Sequence, residues 1–171
     1  MPAEEFEFSD GGLSRKILRE KTTTWEVDFP AVDRRAALLA MTAAMFHRTD
    51  YTAETIVRIT SRLDEREEAL TTGIGFGIAI PHGVADVLMP YFGFFYSPKG
   101  VDWSAMDGRP VRLILCFILP HSSFQTHLRA LKSLAWAAND ASAVHPGMSL
   151  AEFRKAFHVL WDESDPGPSR N

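Results

Sequence analysis

The sequence predicts an α/β sandwich, a single domain with a mixed central sheet flanked by helices. Three observations carry this reading. "VRLILCFIL" (Val111 to Leu119) is a nearly continuous apolar run rich in branched residues, which suits a strand covered on both faces. Strand-like segments are interleaved with segments whose apolar residues recur at three- and four-residue steps. A length of 171 residues allows one substantial core.

Residues 1–24 mix charge and glycine without clear period and are read as an N-terminal arm, with residues 25–163 as the domain. In "TWEVDF", Trp25, Val27 and Phe29 alternate with polar neighbours, a short strand signal. Asp33 is placed to cap a helix through "RRAALLAMTAAMFHR", where Leu38, Met41, Met45 and Phe46 form one apolar face. His47, in its last turn, reads as a surface cation favoured by the helix dipole. A second helix begins at Thr52, with Glu54 in its first turn and Ile56, Ile59 and Leu63 facing inward. "YFGFFYS" reads as a strand, and Asp107-Gly108 marks a tight turn before the Val111 strand. In "SSFQTHLRALKSLAWAAN" Ser122 or Ser123 supplies a cap, and His127, Leu131, Leu134 and Ala138 share a helix face. A last helix starts at Ser149, where "SLAE" fits a capping box with Glu152; Phe153, Phe157, Leu160 and Trp161 give its apolar side. Residues 164–171, ending in "DPGPSRN", are breaker-rich and read as a frayed tail.

Composition narrows the function classes. Hydrophobic residues at 46% and charged residues at 23% are ordinary for a globular protein, and the net charge is −4. No Lys/Arg block stands out, so nucleic acid is not an expected partner. No apolar run reaches the roughly 18–20 residues of a membrane helix, and "MPAEEFEFSD" is acidic, unlike a secretory signal. The one cysteine, Cys116, has no partner for an internal disulfide, which suits a reducing compartment and makes the cytoplasm the expected location.

Chemistry concentrates in "TTGIGFGIAIPHG" (Thr71 to Gly83). Gly73, Gly75 and Gly77 are spaced G-x-G-x-G, which is neither the dinucleotide fingerprint nor a P-loop. His82, His121 and His127 are candidate metal ligands, yet there is no H-E-x-x-H and no cysteine pair, so no metal is expected. No nucleophile elbow exists. Histidine itself remains. Pro81 interrupts the hydrogen-bond ladder, which predicts that His82 emerges at a strand end near the surface. It is read either as a surface histidine following a strand or as an imidazole presented to chemistry near its neutral pKa.

The stretch "REEALTTGIGFGIAIPHG" resembles the active-site signature of enzyme IIA domains of the fructose–mannitol class. These belong to the bacterial phosphoenolpyruvate-dependent phosphotransferase system, and nitrogen-regulatory IIA proteins share the motif. The match runs through Arg66, Glu67, Thr71, Thr72, Gly73, Ile74, Gly75, Gly77, Ile78, Ala79, Ile80, Pro81 and His82. "GVDWSAMDGRPVRLILCFILP" and "THLRALKSLAWAAND" are similar to later family blocks, and the resemblance covers roughly residues 25 to 163.

The resemblance implies a phosphocarrier. His82 is the implied nucleophile and phosphohistidine, accepting a phosphoryl group from the carrier protein HPr and passing it to a IIB partner or holding it as a regulatory mark. His127 is the implied second histidine beside it, where the residues alone also allow a packed helix-face histidine. Arg66 is expected to offer a fork to the phosphate oxygens. Thr71 and Thr72 are expected to donate hydroxyl hydrogen bonds, and Gly73, Gly75 and Gly77 to let backbone N–H groups crowd round the anion. His121 sits in a second Pro-His pair and reads as a loop residue. No cofactor is expected.

Two departures from the family stand out. Phe76 fills a slot often held by a polar residue. "VADVLMP" after Gly83 lacks the basic residue common just past the family's histidine, which weakens the expected attraction to phosphate or partner. They motivate the alternative of a regulatory binding module with the IIA fold and little or no phosphorylation. With no IIB or membrane IIC segment fused to it, the carrier is expected to be a freestanding sugar-transport component or a nitrogen-type regulator. A geometric expectation follows: the His82 and His127 imidazoles lie within several ångströms at a shallow site, with Arg66 near.

Overall fold

The computed structural model describes residues 22–121, 124–138 and 144–158. Its elements run β1 (Thr23–Glu26), α1 (Arg34–Phe46), α2 (Ala53–Ala69), β2 (Gly73–Gly75), β3 (Ile78–Ala79), β4 (His82–Ala85), β5 (Tyr91–Val101), β6 (Val111–Pro120), α3 (Phe124–Ala138) and α4 (Leu150–His158). The sheet order is β1-β5-β6-β3-β2, with β4 also paired to β6. β1–β5, β3–β6 and β4–β6 are parallel, while β2–β3 and β5–β6 are antiparallel. The mixed sheet flanked by helices is the fold that the sequence predicts.

β6 is the spine, and its two-residue period sorts the core. Leu113, Leu115, Phe117 and Leu119 join Phe92, Phe94, Leu134, Phe153 and Phe157 on the α3/α4 side. Ile114, Cys116 and Ile118 join Leu38, Met41, Phe46, Ile59 and Leu63 on the α1/α2 side. Each large side chain so buried contributes about 1.5–3 kcal/mol, which is why an unbroken apolar run marks a two-sided strand.

The helix caps follow the sequence. Asp33 accepts from Ala36 N–H at 2.8 Å, and Thr52 accepts from Thr55 N–H at 3.2 Å. Ser149 and Glu152 close a capping box, Ser149 N–H to Glu152 at 2.7 Å and Glu152 N–H to Ser149 at 3.2 Å. Leu160, Trp161, the tail, and the candidate caps Ser122 and Ser123 lie outside the described residues.

Three details differ from the sequence reading. β1 begins at Thr23, inside the segment read as the arm, and ends at Glu26. Asp28 then takes φ 59°, which breaks the alternation. Trp25 therefore stacks on Phe94 on the α3/α4 side, centroids 4.1 Å apart, while Phe29 packs on Phe95 on the other. His47, the C-cap of α1, engages its neighbours at the surface: its Nδ1 lies 2.8 Å from Ala44 O and its Nε2 lies 3.1 Å from Arg48 Nε. Finally, Pro81 interrupts the pairing with β6 only locally, since β3 ends at Ala79 and β4 begins at His82 in the same register. The ladder lacks the one donor that proline cannot supply, Pro81 O still accepts from Phe117 N–H at 3.2 Å, and pairing resumes at His82 opposite Phe117.

Candidate active site at the β4–α3 seam

That resumed pairing decides where His82 goes. Ile78 and Ile80 point to the α3/α4 core, and two residues further on His82 points the same way, so it is buried, at 7% exposure. The expectation of a surface histidine is corrected by this pleat. Its ring lies parallel to Phe117, centroids 5.2 Å apart and planes at 11°.

α3 supplies the opposite wall. His127, half-buried, meets His82 edge to face with centroids 5.0 Å apart and planes at 71°, and also touches Phe117 at 5.5 Å. The two histidines that lie forty-five positions apart in sequence are thus brought together.

His82 Nδ1 lies 2.7 Å from Ile80 O. A carbonyl only accepts, so Nδ1 carries the proton and Nε2 keeps its lone pair. Burial lowers the His82 pKa to about 4, against the opposing pull of the Ile80 hydrogen bond and with help from His127 and Arg66. Burial also lowers that of His127, again with a contribution from Arg66. The site therefore holds two neutral imidazoles and one permanent cation near neutral pH.

Arg66, in the last turn of α2, donates from Nη1 to Leu70 O at 2.6 Å. This bond caps the helix carbonyl end and stations the guanidinium near enough for its charge to act on both rings. Arg62, one turn earlier, reaches Val84 O at 3.5 Å. A cation thus stands beside the segment after His82, where the chain itself places none.

The glycine hairpin divides. Thr71 accepts from Gly73 N–H at 3.1 Å, leaving its own hydroxyl proton to donate. Thr72 is buried, and its hydroxyl donates to the Glu67 carboxylate, so it is already committed. Gly75 and Gly77 are carried away from His82. Gly77 O accepts from Leu113 N–H, whereas His82 pairs with Phe117. Four residues of extended chain separate these points, ~13 Å. Gly77 and Phe76 instead form the two-residue β2–β3 turn, both with positive φ (76° and 55°), and Asp107 accepts from Phe76 N–H at 2.8 Å. Phe76 and Gly77 thus sit at the far end of the hairpin, while Thr71 and Thr72 lie at its base.

His121 lies apart from the pair, its Nε2 3.1 Å from Asp86 Oδ1 where β4 and β6 end. Among the described residues no three His, Cys, Asp or Glu side chains gather to hold a metal ion. Sequence reasoning passed over Glu67, which is 2% exposed. Its signal was available: Ile59, Leu63 and Glu67 recur at four-residue steps, placing a carboxylate on the buried stripe of α2.

Residues 23–160 match the model of the family described as phosphoenolpyruvate-dependent sugar phosphotransferase system, EIIA 2. The chain is 42% identical over 72 residues to a fructose-specific EIIA component of Haloferax volcanii, covering 42% of this chain and 47% of that protein. It is 32% identical over 97 residues to a nitrogen regulatory protein of Bradyrhizobium diazoefficiens, covering 56% of this chain and 63% of the relative. The chain thus spans about half to three-fifths of the length of these two relatives. The crystal structure of nitrogen regulatory protein IIA-Ntr from Neisseria meningitidis shares the fold, with a TM-score of 0.68 and 22% identity over 85% of this chain and 97% of that one. With the family model matched from β1 to beyond α4, the chain belongs to the EIIA 2 family of the phosphoenolpyruvate-dependent sugar phosphotransferase system.

Proposed function

We propose that this chain is a IIA-type phosphocarrier working in the cytoplasm. His82 accepts a phosphoryl group on Nε2 from an HPr-like carrier, then passes it to a IIB protein or holds it as a regulatory mark. The observation that carries this reading is the 2.7 Å hydrogen bond from His82 Nδ1 to Ile80 O, which leaves Nε2 as the nucleophile.

In the transfer, the Nε2–P bond forms as the donor's N–P bond breaks, and the donor ring keeps the released electron pair. Positive charge builds on the His82 ring as Nε2 commits its lone pair. The Ile80 carbonyl already faces Nδ1–H and stabilises that charge without rearranging. Such a transfer asks the protein for position and countercharge more than for covalent help. Arg66, the Thr71 hydroxyl and His127 are the groups that take the phosphoryl oxygens on this reading. Phe76, ~13 Å away along the sheet, does not obstruct the nucleophile, which favours the carrier over a module that is never phosphorylated.

The test is incubation with phosphoenolpyruvate, enzyme I and HPr, followed by intact mass. One acid-labile phosphoryl group is expected, absent in His82→Ala. No addition from a set of donor proteins competent on another IIA domain would sink the reading.

A further inference from the structure

A buried carboxylate is hydrogen-bonded twice to the chain that leads to His82 and once to Trp103. Glu67 accepts from Thr72 N–H at 2.8 Å, from the Thr72 hydroxyl, and from Trp103 Nε1–H at 3.1 Å. Burying a carboxylate is costly unless its oxygens are satisfied, and three donors satisfy these. A leucine would fill the same space with no desolvation cost, so what the carboxylate adds is direction. It fixes where Thr72 sits.

Two arms leave Thr72. Its carbonyl accepts from Ile80 N–H at 3.1 Å, and the Ile80 carbonyl accepts from His82 Nδ1–H. Pro81, between them, has a fixed φ and restricts the residue before it, so the orientation of Ile80 is passed on to His82. The second arm runs backward. Leu70 donates its N–H to Arg66 O at 3.3 Å and gives its carbonyl to Arg66 Nη1 at 2.6 Å. Holding Thr72 therefore holds both the acceptor that sets the His82 tautomer and the carbonyl that stations Arg66.

We infer that Glu67 is a positioning residue for phosphoryl acceptance, acting through Thr72 on the His82 tautomer and on Arg66. This rests on the phosphocarrier reading above, but its first readout does not. The ¹⁵N shifts of the His82 ring are measured in unphosphorylated protein near neutral pH. In the wild type the Nδ1–H form dominates. In Glu67→Leu the ratio of Nδ1–H to Nε2–H falls roughly fivefold or more, the loss of one ordinary hydrogen bond. Phosphoryl uptake from HPr then falls ~10–100-fold, the penalty of a misplaced reacting group. Glu67→Gln, whose carbonyl oxygen can accept from Thr72 N–H and Trp103 N–H, restores the ratio and most of the uptake.

A folded Glu67→Leu with a lowered melting temperature and an unchanged tautomer ratio overturns the inference, since packing alone would then be its role. Should Glu67→Leu not fold, Glu67→Asp withdraws the carboxylate by one methylene and is judged by the same ratio. Wild-type protein that takes up no phosphoryl group refutes the phosphocarrier reading instead, and the ring shifts then decide by themselves whether Glu67 sets the His82 tautomer.

Discussion

His82 and His127 face each other across the seam of β4 and α3, edge to face at 5.0 Å, with Phe117 against both rings. The first is held by its own strand, through Ile80 O. The second comes from a different element and is free to serve whatever is attached to the first. Their substitutions should therefore differ in kind. His82→Ala abolishes phosphoryl uptake. His127→Ala leaves the nucleophile in place and slows uptake about 100-fold, the scale of losing one donor to a developing oxyanion. Single-turnover transfer from labelled phospho-HPr measures both, and equal total loss in the two would contradict the division of roles.

Burial of His82 has a pH signature. Its folded pKa of about 4 lies below the ordinary value of roughly 6.5, so in that window the unfolded chain binds a proton that the folded one refuses. The sign is then fixed: this contribution to stability is fully present above about pH 6.5 and is lost as pH falls toward 4. The full loss is on the order of 3 kcal/mol. Urea unfolding near pH 7 and near pH 4.5 should show a larger drop for wild type than for His82→Gln. A His82 ring that titrates near 6.5 by NMR would refute the burial argument.

Phe76 carries a large apolar side chain at 87% exposure on a backbone of positive φ, in the first position of a two-residue hairpin turn. Turns of this kind favour Asn followed by Gly, and Gly77 is already in place. Phe76→Asn should stabilise the domain by about 0.5–1 kcal/mol, because the ring is 87% exposed and asparagine tolerates the conformation. Thermal unfolding reads the gain. Phosphoryl uptake should not change, since the turn is far from the histidines; reduced uptake would place Phe76 in partner recognition.

Much of this was legible in the sequence where one local signal decides one outcome. Asp33, Thr52 and Ser149 cap their helices because a side-chain oxygen before an apolar stripe has few other uses. β6 was readable because burial on both faces from Leu113 to Leu119 leaves that run without a polar position. What failed required knowing a partner. Pro81 punctuates a strand in isolation, but β6 supplies enough remaining pairs to carry the strand past it. The glycines are adjacent in sequence, yet the hairpin spreads them along the sheet, Gly73 opposite Ala79 and Gly77 in the turn. Glu67 was passed over because its meaning lies with Thr72 and Trp103, and Trp103 is distant along the chain.

Gly73 tests the same distinction between a ligand cradle and a close approach of backbones. It pairs with Ala79 across the β2–β3 hairpin, and its carbonyl accepts from Met106 N–H at 2.9 Å, which draws the segment before β6 over it. A Cβ at this position would sit 2.8 Å from both Ala105 Cα and Ala105 Cβ and 3.0 Å from Trp103 Cδ1. Backbone cannot step aside as a flexible side chain does, so Gly73→Ala should cost about 1–3 kcal/mol. Trp103 is also the donor to Glu67, so the displacement reaches the anchor beneath Thr72. The expected result is a lower denaturant midpoint together with a disturbed indole N–H signal of Trp103. If Gly73 served mainly to admit phosphate, the substitution would instead leave stability and the indole unchanged and impair phosphoryl uptake alone.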